Sequence, residues 1–389
     1  MKFSIIIPSQ NRTELMCLAV HYALNQKYKN IELIVSDNST TAEFKQRNEL
    51  ELNKYIKEKQ LILVSPPRVL SAPDHFEFAL QYATGDYVLF LTDKMMLLPD
   101  TLHLAADAIA ESNAEIVNWT YYSCSADDYL KSDTLGGELL NSYVQQNHGY
   151  EEYSPLQHLE IQASGQLPRP SQSAGFYVKG KICFGCYSKE LILQILNKSG
   201  SLCGGVTHDY SAMVQALCLA TKGIVLGNPG IVFLSLPIDK SWGSLTYFYS
   251  YGALKYYESF PDSSLIISSL FVPGLYVSPH NMVAHDYLKY LLLYGKREIF
   301  GDKYWLYSIN KDLCLPDRVW SSEDERNSQF RIFYDYINKR KKIKIYLYGR
   351  YCMDYISLIL IFLAKRLRAY MRRAFGYISR ILLAVRALN

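Results

Sequence analysis

The first hundred residues alternate short apolar runs with stretches of helical spacing. FSIII (3–7), IELIVS (31–36), LILV (61–64) and YVLFL (87–91) read as strands. Between them, Thr13–Leu24, Thr41–Lys59 and Ala72–Ala83 set apolar residues at three- and four-residue intervals, with Ser39, Thr40 and Ser71 as available N-cap oxygens. This alternation predicts βαβ units on a parallel sheet. Open sheets of that kind bind ligands where the strands end. PSQNR (8–12), SDNST (36–40), PPRVLSAPDH (66–75) and TDK (92–94) are therefore expected on one rim. Further along, KICFGCYSKELILQIL (181–196) reads as a strand and a helix. A second helix, Tyr210–Thr221, opens on an acid, and a strand follows it in GIVLGNPGIVFL (223–234). Between Asp127 and Pro170 the chain is polar and rich in breaks, and after Lys240 it becomes mostly helical and aromatic.

Length and composition narrow the class. With 389 residues and 49% hydrophobic content, the chain is globular and long enough for two or three packed units. The opening MKFSIIIPSQNR has too short an apolar run for a signal peptide, so residence in the cytosol is expected. Of the eight cysteines only Cys183 and Cys186 are closely spaced, and reduced core thiols are expected rather than a zinc site. No G-x-G-x-x-G follows the first strand and no G-x-x-x-x-G-K-[ST] occurs, which sets aside hydride transfer and P-loop chemistry. The net charge of +4 is unevenly placed: from Lys339 onward there are thirteen Lys or Arg against one acid, so the preceding 338 residues carry a net −8.

The order of the rim segments is informative. PSQNR, SDNS and GDYVLFLTDKMMLLP resemble the pattern of family 2 glycosyltransferases: a strand, P-x-x-N-R, a second strand ending in D-x-S, then G-D-Y-x-x-F-L-D-x-D and L-x-P. The resemblance spans about the first 240 residues, more loosely beyond 181. It implies an α/β chain of the GT-A fold, with a Rossmann-like, mostly parallel sheet flanked by helices and a largely helical C-terminal extension. The implied division is a nucleotide-sugar half (1–110), an acceptor half (111–240) and a helical region (241–389) that ends in a basic amphipathic segment. The polar stretch from Asp127 to Pro170 becomes an acceptor-side insertion.

The resemblance also implies site residues. A sugar nucleotide needs an edge reader for its base, neutralisation of its diphosphate and a base for the incoming hydroxyl. Asp37 is placed to accept from the nucleotide base, with Asn38 beside it, and an Asx-turn or helix cap is the alternative. Pro8, Ser9, Asn11 and Arg12 line the first loop, where Arg12 is expected either to reach phosphate or to stay solvated. Arg68 and Asp74 are nucleotide-side candidates, and His75 is a weaker one. Asp209 falls where the family has its general base, with a first-turn or capping acid as the alternative. His208 is expected to pack rather than to ligate.

The family's D-x-D, which holds a divalent ion, is reduced here to Thr92-Asp93-Lys94. Three readings stay open, in this order: Asp93 tethers Mg²⁺ or Mn²⁺; Lys94 is itself the diphosphate's cation; or the chain is catalytically idle.

The tail completes the sequence-based expectation. From Lys365, basic residues fall on one helical arc with Leu367, Met371, Phe375, Ile378 and Leu382 opposite, a pattern for an interfacial helix at the inner face of the plasma membrane. Packing on the acidic body or on a partner is the alternative. The function expected is inverting transfer of a sugar, taken first as a UDP-sugar, to a glycan or lipid-linked acceptor of a surface polysaccharide. Its rival is an inactive module that binds glycan or a partner transferase. Nucleic acid is not expected as a partner, because the basic tail also carries an apolar face.

Overall fold

Phe3–Ser9 (β1) is buried at all of its positions, as a strand covered on both faces must be. In the computed structural model, which describes residues 1–126, 149–165, 174–238 and 241–340, β1 lies inside a sheet of nine strands. The others are Ile31–Asp37 (β2), Ile62–Val64 (β3), Tyr87–Phe90 (β4), Met95–Leu97 (β5), Ile116–Ser125 (β6), Tyr150–Tyr153 (β7), Gly185–Ser188 (β8) and Gly223–Ser235 (β9). Their order is β3-β2-β1-β4-β8-β6-β9-β5, with β7 added on β9. β3, β2, β1 and β4 pair in parallel, as do β6 and β9, whereas β5, β7 and β8 run against their neighbours. The result is a mostly parallel α/β sheet flanked by helices.

Helix Thr13–Leu24 buries Leu15, Met16, Ala19, Val20 and Ala23 on one face, which packs on β1 and β2. Helix Ala42–Lys57 begins later than its spacing suggests, because its N-cap oxygen comes from Thr41 and not from Ser39 or Thr40. Ser39 and Thr40 are engaged by Asn11 from the first loop. Helix Ala72–Leu80 is capped by Ser71, as expected, and ends three residues short of Ala83. Gly85, which opens the GDY stretch, has no room for a side chain: a Cβ there would meet Ser4 Oγ at 2.7 Å and Lys2 O at 2.8 Å.

Two compact units result, Met1–Ile332 and Phe333–Asn389, and the site lies in the first. After β9 the first unit is helical, with Trp242–Phe248, Ser250–Glu258, Ser263–Ser269, Pro279–Leu293 and Asp302–Leu313. Val206, Tyr257, Leu270 and Met282 form a buried cluster that ties these helices to the loop before helix His208–Leu219. Among the described residues no helix is long and apolar enough to cross a membrane. The basic arc from Lys365 and most of the Asp127–Pro170 stretch lie outside the described residues.

Candidate active site at the strand ends

Strand order places β1 beside β4, with β2 on its other side, so the loops after these strands meet. The first loop is held by Asn11, whose φ of 56° is left-handed, a conformation asparagine tolerates better than most residues. Its backbone N–H donates to Ser39 Oγ (3.1 Å), its Nδ2 to Thr40 Oγ1 (2.9 Å), and its Oδ1 accepts from Thr40 N–H (2.9 Å). Asn38 grips Leu70 twice, accepting from its N–H and donating to its carbonyl, both at 2.9 Å, and donates its own N–H to Ser9 O. Both asparagines thus brace loops. Asp37, 1% exposed, forms the Asx-turn anticipated as its alternative, with Oδ1 accepting from Ser39 N–H at 2.8 Å. Pro8 pairs with Ser36 inside the β1–β2 ladder.

At the end of β4, Asp93 turns inward and is 3% exposed. Its Oδ2 accepts from Ser9 Oγ and its Oδ1 from the Arg12 guanidinium, both at 3.1 Å. Burial pushes the Asp93 carboxyl up, against the pull of Arg12, Ser9 and Lys94. Lys94 stands with Nζ 4.8 Å from the Phe233 ring centre and has no ion-pair partner among the described residues. Burial and the neighbouring Arg12 push its pKa down, while Asp93 and Asp209 oppose them. These residues do not fit a divalent ion. Both Asp93 oxygens already have donors, two cations flank them, and no group of three or more His, Cys, Asp or Glu among the described residues is arranged to hold a metal.

Asp209 is the second residue of helix His208–Leu219 and does not cap it, since the N-cap is Thr207. Asp209 is partly buried and takes no hydrogen bond or ion pair among the described residues, yet its charge is felt at Lys94, Lys181, Cys183 and His208. His208 lies 4.1 Å from the Phe76 ring, and burial lowers its pKa, so it is neutral at pH 7 with Nδ1 buried and unpartnered. It packs on Phe76.

Two residues at the site were not anticipated. Lys181, 3% exposed, has Nζ 3.3 Å from Tyr210 Oη and lies over the rings of Tyr177 and Tyr210, 3.8 and 4.4 Å from their centres. Its turn is held by Asn118, which donates to Lys181 O and Phe184 O and accepts from Gly180 N–H and Tyr153 Oη. Asp286, on helix Pro279–Leu293, accepts from Val206 N–H (2.8 Å), Thr207 N–H (2.6 Å) and Thr207 Oγ1, and so fixes the entry to the Asp209 helix. Burial drives its carboxyl up to about 6 despite these bonds. Gly205 is required beside it, because a Cβ there would approach Asp286 Oδ2 to 2.6 Å. Tyr256 Oη and Lys289 Nζ bond the carbonyls of Val206 and Gly204 in the same loop. No local pattern marks Lys181, and Asp286 acts on residues 80 positions away.

Arg68 is exposed and makes no hydrogen bond or ion pair among the described residues. Asp74 accepts from the capping Ser71 hydroxyl (2.8 Å), and His75 is buried at 2.8 Å from Ser36 Oγ, its pKa held down at about 4 by burial.

Residues 4–164 match the family model described as Glycosyl transferase family 2. No curated protein sequence matches the chain. Among solved structures the chain is similar to S. aureus TarS, with 14% identity over 82% of this chain and a TM-score of 0.42. It spans half the length of that protein. It is also similar to S. aureus TarS 1-349 in complex with UDP-GlcNAc (15% identity, 80% of this chain and 81% of that one, TM-score 0.45). A third similar structure is the mannosyltransferase PcManGT from Pyrobaculum calidifontis in complex with GDP-Man and Mn²⁺ (12% identity, 89% of this chain and 83% of that one, TM-score 0.41). Residues 4–164, which carry β1 to β4 and the Arg12–Asp93 pair at the ends of those strands, are thus similar to glycosyl transferase family 2.

Proposed function

We propose that this glycosyltransferase moves a sugar from a nucleotide-sugar, taken first as a UDP-sugar, to a hydroxyl of a glycan or lipid-linked acceptor, with inversion. The observation that carries the reading is Asp209: a carboxylate without a hydrogen-bond or ion-pair partner among the described residues, set within electrostatic reach of two lysines and beside the rim that the family uses for its donor. In the proposed step, Asp209 takes the acceptor hydroxyl's proton while that oxygen bonds to the anomeric carbon. The bond from this carbon to the diphosphate oxygen breaks on the opposite face, and the nucleoside diphosphate leaves with the electron pair. Asp37, with one carboxylate oxygen free of protein hydrogen bonds among the described residues, is the candidate reader of the nucleotide base, and Arg68 is free to meet phosphate. The Mg²⁺ or Mn²⁺ that the family often uses would have to displace Arg12 or Ser9 from Asp93, so no step is routed through it.

The proposed division of labour gives residues 1–110 the donor, 111–240 the acceptor, and 241–389 the support of the acceptor side and attachment to an anionic membrane surface. The test is transfer and donor hydrolysis by the full chain with a panel of UDP-, GDP- and dTDP-sugars, beside Asp209→Asn. Turnover that Asp209→Asn abolishes supports the reading, whereas donor binding with neither transfer nor hydrolysis favours the non-catalytic module.

A further inference from the structure

A buried ammonium without a counter-charge is costly, by several kcal/mol for an ion left wholly uncompensated, and chains seldom retain one without use for it. The site holds two lysines of this kind. Lys181 is buried between Tyr177 and Tyr210, and Lys94 is partly buried over Phe233; neither has a carboxylate within ion-pair distance among the described residues. The rings connect them: Phe233 lies 6.4 Å from Phe184, which lies 6.2 Å from Tyr177. Asp209 and Cys183 both feel the charge of each lysine, which places the two ammonium groups around one space. Arg12, by contrast, is balanced by Asp93, so the excess positive charge of the cluster resides on Lys94 and Lys181.

We propose that Lys94 and Lys181 together form an anion cradle for the donor's diphosphate and do the work of the divalent ion, so that this chain binds its donor without metal. The inference rests on the nucleotide-sugar reading and deepens it. Lys181 is held rigidly: Asn118 fixes its backbone, and two aromatic faces hold its ammonium charged, since Tyr210, Tyr177 and Asp209 outweigh the opposing effect of burial. A preorganised cation of this kind stabilises negative charge without reorganising as the diphosphate departs. Lys94, at the position of the family's last acid, reverses the local charge from one that attracts a metal ion to one that attracts phosphate.

Calorimetric titration of the full chain with UDP, GDP, dTDP and inorganic pyrophosphate, first in EDTA and then with Mn²⁺, tests the cradle. Lys94→Met, Lys181→Met and, as a control, the exposed Lys198→Met are titrated alongside. The expected result is binding in EDTA that weakens at least tenfold in each site variant and stays within twofold in Lys198→Met. Ligand-free Lys181→Met should melt below the wild type, because the fold favours the charged ammonium, and Lys94→Met keeps the cradle testable if Lys181→Met does not fold. Nucleotide binding that requires Mn²⁺ and is unchanged in both site variants overturns the cradle and leaves the transferase standing. Pyrophosphate binding in EDTA that is lost in Lys181→Met, with no nucleotide bound, upholds the cradle and removes the sugar-nucleotide donor. Absence of binding by every probe overturns both.

Discussion

On the β1–β2 side of the site the polar side chains are bonded to one another, and around Asp209 the charges are kept apart. Asn11, Asn38, Ser9, Arg12 and Asp93 each have a protein partner at hydrogen-bond distance, and Asp37 alone keeps one carboxylate oxygen without such a partner among the described residues. Asp209, Lys94 and Lys181 have no ion-pair partner among the described residues, and the nearby Thr92 Oγ1 and His208 Nδ1 are buried without a hydrogen bond. A satisfied network fixes loop positions and has little left to offer a ligand. Uncompensated charges destabilise the free protein and are relieved when substrate arrives. The difference separates scaffold from working groups within a single rim.

The largest expected effect lies on the uncompensated side. Asp209→Asn should lower turnover by about 10³-fold while donor affinity, read by calorimetry, stays within about threefold of wild type, as expected of a group that acts only when the bond forms. Turnover close to wild type would place Asp209 with the scaffold.

Next is Arg12→Met, which strands a buried carboxylate. Equilibrium unfolding should show a loss of about 3 kcal/mol at neutral pH. Part of it should return on acidification, since burial already pushes the Asp93 carboxyl up and a protonated Asp93 needs no counter-charge. A loss that does not depend on pH would mean that Arg12 contributes by packing.

Asp286 tests how the working side is supported. Its carboxyl is raised from 3.8 to about 6 in the fold, so the native state retains a proton that the unfolded chain has released. Wild-type stability should therefore fall, relative to Asp286→Asn, as pH rises from about 4 to about 6, and then level off. At pH 7, Asp286→Ala leaves two backbone N–H groups without an acceptor and should cost about 2 kcal/mol, with kcat falling more than donor KM rises. A matched change in both constants would remove the link to Asp209.

The smallest effect is expected far from the site. Glu32 accepts from Lys2, Ser4 and Thr84 near the start of β1. Burial alone would raise its carboxyl, but these bonds hold it at about 2, against an ordinary value of 4.5. Its contribution is complete above pH 4.5 and disappears as pH falls toward 2. Glu32→Gln should lose about 1 kcal/mol at pH 7 and keep full activity; reduced turnover would show that the strand starts and strand ends are coupled.

The rim was legible from local pattern. Apolar runs gave β1, β2 and β4, and the polar letters that follow them reached the same edge because parallel strands end together. Less legible was what each letter does there. Asn11 stands at the asparagine of P-x-x-N-R and Asn38 at the open position of D-x-S, yet both serve as braces, and Asp74 serves its own helix cap. Lys181 carried no sequence signal at all, since one lysine before CFGC looks like any other.

By itself, the sequence determined what depends on near neighbours: which runs are buried strands, where helices begin to within a residue or two, and that the outer acids of the resembled family are replaced by Thr92 and Lys94. Tertiary structure decided which charges meet. Arg12 and Asp93 are 81 residues apart and pair because β4 adds beside β1. Asp286 reaches the Asp209 loop from 80 residues away because a later helix packs there. Hydrophobic period reports burial one element at a time, whereas the state of a charge depends on every element packed around it.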